Sequence, residues 1–126
     1  MNIISHYIDF IRLKGRSLAE INSGSDEVAL KVDDALQAIE LLKDSQLPIL
    51  GGDILSVNSD TLVYAYQLWG SEYHCLNWYS EKMEKEDQVT YCNRSYIVAK
   101  NSIKKANEVS KRLGMNCYIV LVTPLC

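Results

Sequence analysis

The ten residues from Pro48 to Val57 read Pro-Ile-Leu-Gly-Gly-Asp-Ile-Leu-Ser-Val. Aliphatic pairs flank a glycine pair, and Pro48 forces Leu47 out of the helical region, so a helix must end before this point. The segment predicts a strand, with Gly51 and Gly52 marking a bulge or a close approach of another chain segment. Asn58-Ser59-Asp60 supplies a turn. Thr61–Leu68 then follows, rich in β-branched and aromatic side chains, and predicts a second strand antiparallel to the first. After the break at Gly70-Ser71, Tyr73–Tyr79 predicts a third strand.

Helices are expected on either side of this β-rich centre. Ile3, Ile4, Tyr7, Ile8 and Ile11 fall at helical spacing over residues 3–13, with Gly15 as the stop. Ser17-Leu18-Ala19-Glu20 has the form of a capping box and predicts a short helical turn. Residues 22–25, Asn-Ser-Gly-Ser, predict a loop. Val32, Ala35, Leu36, Ile39 and Leu42 define one face of a second helix, with Asp33 and Asp34 in its first turn, where the helix dipole favours carboxylates. After the charged segment Glu81–Asp87, a long helix is expected from Gln88 to Leu113. Cys92, Tyr96, Ala99, Ile103, Ala106 and Leu113 lie on its apolar face, and Gly114 caps it. Asn116–Val122 is almost continuously apolar and predicts a central strand covered on both faces, ended by Thr123-Pro124. The expected fold is α+β: one domain over residues 1–126, with about four mostly antiparallel strands and two to three helices packed on the sheet.

Composition narrows the function. The chain has 126 residues, 48% of them hydrophobic and 23% charged, enough to build a core without disulfides or metals. Its net charge of −3 lacks the basic footprint of a nucleic-acid binder. Residues 1–63 carry five basic and ten acidic side chains, and residues 64–126 carry eight and six, so the first half is net −5 and the second net +2. Cys75, Cys92, Cys117 and Cys126 form no C-x-x-C pair, and His6 and His74 are not at zinc-finger spacing, so unpaired thiols in a reducing cytoplasm are expected, with no metal and no cofactor. No apolar run approaches the roughly 20 residues of a membrane span.

No catalytic set stands out. His74 and Cys75 are neighbours on an expected strand and would point to opposite faces, with His74 at the surface and Cys75 in the core. Asp33-Asp34 and Glu86-Asp87 sit at helix starts, where capping accounts for them. Gly51-Gly52-Asp53 is either a backbone approach site with Asp53 as acceptor or a structural turn. Trp78 fits an interface or the core equally well. Arg94 points away from the apolar face of its helix and suits a carboxylate, whether on a partner or within the chain at Asp53 or Glu86.

Ala35-Leu36-Gln37-Ala38-Ile39-Glu40-Leu41-Leu42, then Pro48-Ile49-Leu50-Gly51-Gly52-Asp53, then Asn77-Trp78-Tyr79, and finally Tyr91, Arg94, Ser95 and Ala99 occur in an order and spacing that resembles the immunity protein 40 family of bacterial polymorphic-toxin systems. The resemblance covers roughly residues 15–110 and leaves the last strand outside. It implies a non-catalytic cytoplasmic protein that binds a cognate toxin and blocks it. Asp53, Trp78, Tyr91 and Arg94 are the expected functional cluster, with Gly51 and Gly52 shaping the backbone beneath it and Ser95 part of the same motif. The acidic half suits a basic toxin such as a nuclease. Direct nucleic-acid or membrane binding is not expected, and the oligomeric state is open. The alternatives are a small enzyme or ligand-binding domain with a pocket at Gly51–Asp53 lined by Trp78 and Tyr91, or a homo-oligomeric interaction module.

Overall fold

The hub of the molecule is the eight-residue strand Gly51–Asn58, the first strand predicted from sequence. In chain order, the computed structural model, which describes residues 3–124, contains α1 (Ile3–Lys14), β1 (Arg16–Ser17), a 3-10 turn (Leu18–Glu20), β2 (Val28–Lys31), α2 (Val32–Asp44), β3 (Gly51–Asn58), β4 (Thr61–Tyr64), α3 (Ala65–Trp69), a second 3-10 segment (Ser71–Leu76), β5 (Trp78–Tyr79), α4 (Gln88–Leu113) and β6 (Tyr118–Val122). The α+β expectation holds. Cys126 lies outside the described residues.

All strand pairings are antiparallel, in the order β1-β2-β6-β3-β4, with β5 also pairing β3. β6, the last strand in the chain, therefore sits between β2 and β3. β3 is longer than any partner, so several segments share its edges. β6 pairs with Gly51 to Leu55 on one side. On the other, β5 takes Gly51 and Gly52, and β4 takes Leu55 to Asn58. Two asparagine side chains complete the ladder. Asn77 Oδ1 accepts from the Ile54 amide at 2.8 Å, and Asn116 accepts from the Val57 amide and donates to its carbonyl. Buried backbone groups must be paired, and β3 meets that demand with side chains where strands run out.

Between β3 and β4, Ser59 (φ 50°) and Asp60 (φ 65°) both lie in the left-handed region, the signature of a two-residue type I′ hairpin. Arg16 braces this turn by donating to the Asp60 carbonyl. α4 starts and stops on the expected residues. Asp87 caps it by accepting from the Thr90 amide, and Gly114 ends it at φ 70°.

Helices α1, α2 and α4 cover one face of the sheet. Their core includes Tyr7, Leu30, Ala38, Ile39, Leu42, Ile54, Tyr96, Ile103, Ile119 and Leu121. On the other face Leu18, from the first 3-10 turn, closes over Ala29, Leu55, Leu62 and Val120, all fully buried. β6 thus has apolar cover on both faces, as its sequence predicts.

Four expectations are corrected. β1 and β2 are additional strands, giving six among the described residues rather than about four. The predicted strand Thr61–Leu68 ends at Tyr64, and Ala65–Trp69 is a short helix. Most of the predicted strand Tyr73–Tyr79 is 3-10 helix, begun at Gly70 (φ 133°), with only Trp78 and Tyr79 extended. Finally, Gly51 and Gly52 form no bulge. They stand in regular register, Gly51 opposite Val122 and Tyr79, Gly52 opposite Leu121 and Trp78.

The glycine pair answers to close approach instead. A Cβ at Gly52 would overlap the six-membered ring of Trp78, and one at Gly51 would come within 2.5 Å of the Trp78 carbonyl oxygen. Gly52→Ala is therefore expected to destabilise the fold by about 1–3 kcal/mol through overpacking. In urea denaturation its cost should be smaller in a Trp78→Leu background, because the side chain it strikes is gone.

Candidate functional site

Strand alternation divides the sequence-predicted cluster between two faces of the sheet. Gly52 and Ile54 face the helices, and the Trp78 indole lies on Gly52 on that side, packed against the main core with its ring nitrogen buried. Asp53 points to the opposite face. The cluster is not a single site.

Tyr91, Arg94 and Ser95 all serve the helical side. The buried Tyr91 hydroxyl donates to the Ser80 carbonyl at 2.8 Å. The fully buried Ser95 hydroxyl accepts from the Ile49 amide at 3.0 Å and donates to the Cys92 carbonyl at 2.7 Å. Nearby, Tyr96 donates to the Leu47 carbonyl and Cys92 to the Gln46 carbonyl. The first half of α4 thus supplies hydrogen bonds to the irregular chain leading into β3. Arg94 makes a bidentate pair with Glu86, 2.7 and 2.8 Å, donates to the Glu81 carbonyl, and lies over the Tyr91 ring. Of the two intramolecular partners considered for Arg94, the structure selects Glu86. The bidentate arginine, helped by the Met83 amide, holds the Glu86 carboxyl down at about 2.

The opposite face is different in kind. Leu18 and its neighbours cover the half of the sheet near the β3–β4 hairpin. Beyond them, Glu27, Asp53 and Tyr64 are half-buried rather than sealed. There Asp53 stands beside Val120 of β6, and Glu27, which immediately precedes β2, approaches from the far side of β6. Burial pushes the Asp53 carboxyl up, an effect the neighbouring His74 opposes. Burial, then the charge of Asp53, pushes Glu27 up as well. Tyr64 is raised by burial, then by Asp53 and Glu27, and it pairs with Leu55, two residues along β3 from Asp53 on the same face. Tyr66 stacks on Tyr64 at 5.9 Å between centroids and meets the edge of His74 at 4.6 Å. Tyr79, opposite Gly51, is 75% exposed.

Sequence reading missed Glu27, Tyr64 and Tyr66 as members of this face. The short run Val28-Ala29-Leu30 was their available signal. Taken as a strand and extended back by one residue, it sets Glu27 on the face of Ala29, and the Leu18 amide donating to the Glu27 carbonyl continues the β1–β2 pairing to that position. His74 is exposed as expected. Cys75 is exposed rather than buried, because a 3-10 segment replaces the strand that would have turned it inward. Cys92 and Cys117 are buried free thiols. Of the alternative pocket at Gly51–Asp53 lined by Trp78 and Tyr91, the space over Gly52 is taken by the Trp78 ring itself. A cavity of about 300 Å³ opens elsewhere, between α2 and α4, lined among others by Lys43, Gln88, Cys92 and Tyr96. Among the described residues no three His, Cys, Asp or Glu side chains gather as a metal site, and no helix is long and apolar enough to cross a membrane.

These features define a small α+β domain with one helix-covered sheet face and one half-open face, acidic and rimmed by tyrosines. The chain belongs to the immunity protein 40 family, whose model matches residues 17–123. The match extends past the region of the quoted motifs and takes in β6. No curated protein and no solved structure matches the chain significantly.

Two outcomes test this division of roles. Ser95→Ala leaves the buried Ile49 amide unpaired and should cost about 1–3 kcal/mol in urea denaturation. Asp53→Asn should do the reverse. A carboxyl whose folded pKa is raised above its unfolded value weakens the fold when ionised and ceases to do so once protonated. Asp53→Asn should therefore be more stable than the parent at pH 7, with the difference vanishing below the ordinary carboxylate range.

Proposed function

We propose that this protein is a non-catalytic immunity protein that binds the toxin of a bacterial polymorphic-toxin system and neutralises it in the cytoplasm. The observation that carries this reading is the family match across residues 17–123. Family membership supports an immunity role in general, and the neutralising mechanism is the step added here.

The structure supports the reading physically. The helical side is closed by internal hydrogen bonds, while the sheet side keeps preformed carboxylates and aromatic rings available. Such a rigid surface loses little entropy on binding, and exposed tyrosines make good anchors. The net charge of −3, concentrated in residues 1–63, suits a basic toxin, and a nuclease has that character because its substrate is a polyanion. In this reading Asp53 is the residue of the original cluster that meets the toxin. Gly51, Gly52, Trp78, Tyr91, Arg94 and Ser95 hold the strand that presents it.

Co-expression with the toxin domain encoded beside it should restore host growth, and the two proteins should co-purify as a stable complex. Continued killing with no complex would refute immunity for that pair.

A further inference from the structure

We propose that the half-open sheet face is a socket for one arginine side chain of the toxin, seated between the Glu27 and Asp53 carboxylates and framed by Tyr64, Tyr66 and His74. The inference rests on the neutralisation reading above and names where and how the partner is held.

It begins from a contrast within the molecule. Glu20 meets Arg16 at 2.8 Å, Glu40 meets Lys43 at 3.2 Å and Lys100 at 3.0 Å, and Glu86 meets Arg94 at 2.7 Å. Asp87 caps α4. Glu27 and Asp53 are both partly withdrawn from water, yet among the described residues neither forms an ion pair with a lysine or arginine. Two like charges that flank β6 on one face, partly short of solvent and without a lysine or arginine partner, disfavour the free fold. An incoming cation converts that cost into a favourable contact.

The surroundings select the type of cation. Tyr64 and Tyr66 stack at the edge of the face, with the His74 ring against Tyr66. A planar guanidinium can donate to both carboxylates and lie against an aromatic ring, which a lysine ammonium does less well. Gly51 adds no side chain to the floor, and the exposed Tyr79 stands opposite it. The partner's chemistry is therefore a basic protein surface that presents an arginine.

The test compares the protein, its Glu27→Gln/Asp53→Asn double variant, and an Asp33→Asn/Glu108→Gln control that removes the same charge from the helical layer. Each is assayed for binding kinetics with the adjacent toxin domain, rendered inactive, and for host protection against the active toxin. Thermal melts accompany both assays. The socket predicts that the double variant melts no lower than the parent but binds at least about 30-fold more weakly, mainly through faster dissociation. The control should stay within about threefold. If the parent binds and protects, and the double variant binds equally well, the socket is wrong while the immunity reading stands. If the parent neither binds nor protects, the neutralisation reading falls and takes the socket with it. A change in the sedimentation of the free double variant would show that the face contacts a second copy of the chain, which also overturns the proposal.

Discussion

Everything in this molecule hangs on the backbone of β3 being paired along both edges. Strands β6, β5 and β4 together do not quite suffice, so the Asn77 and Asn116 side chains supply bonds where the neighbouring strands stop. A strand so fully engaged cannot shift register without losing several buried bonds together. The fit of β5 adds a second lock. Only a residue without a Cβ lets the Trp78 ring lie on Gly52, so the glycine pair brings a strand and a large aromatic side chain to the same place.

The two faces of β3 then follow opposite policies. Toward the helices, polar tips on α4 end on backbone groups: Tyr91 on Ser80, Cys92 on Gln46, Ser95 on Ile49 and Tyr96 on Leu47. The segment between α2 and β3 needs these bonds because it has no regular partner of its own. Toward the other side, Asp53 and Glu27 have no lysine or arginine partner among the described residues. A protein selected only for stability would remove such carboxylates, since amides in their place cost less to hold out of water. Under the proposed socket, an incoming arginine offsets that cost.

Much of this architecture was legible in the sequence, and what was not has identifiable physical causes. α2 and α4 were readable because their apolar residues repeat with helical period and Asp87 and Gly114 mark the ends of α4. The β3–β4 hairpin was readable from Asn58-Ser59-Asp60. Residues Thr61–Leu68 misled because β-branched and aromatic side chains suit a strand, while the β3 edge beyond Leu55, opposite Tyr64, is taken by Asn77 and β5. Past that point the chain finds the edge occupied and turns back as a helix. β1 and β2 were missed because two- and four-residue strands carry too little alternation to register. The candidate site was half legible. Arg94 lies over Tyr91 and Trp78 lies on Gly52, but Asp53 faces the other side of β3. Glu27 belongs beside Asp53 only because β6 lies between their strands, a fact of topology that no local pattern encodes.

The position of β6 also bears on how the protein comes into being. Ala29 pairs with Val120, so the sheet closes only when widely separated parts of the chain meet. Such non-local pairing slows folding. On a ribosome, β2 and β3 emerge long before the strand that belongs between them, and each must wait with the N–H and C=O groups of one edge unpaired. A cell relying on this protein for protection would thus be guarded only by chains elongated past β6. A truncation within β6 would remove the middle of the sheet rather than trim its margin.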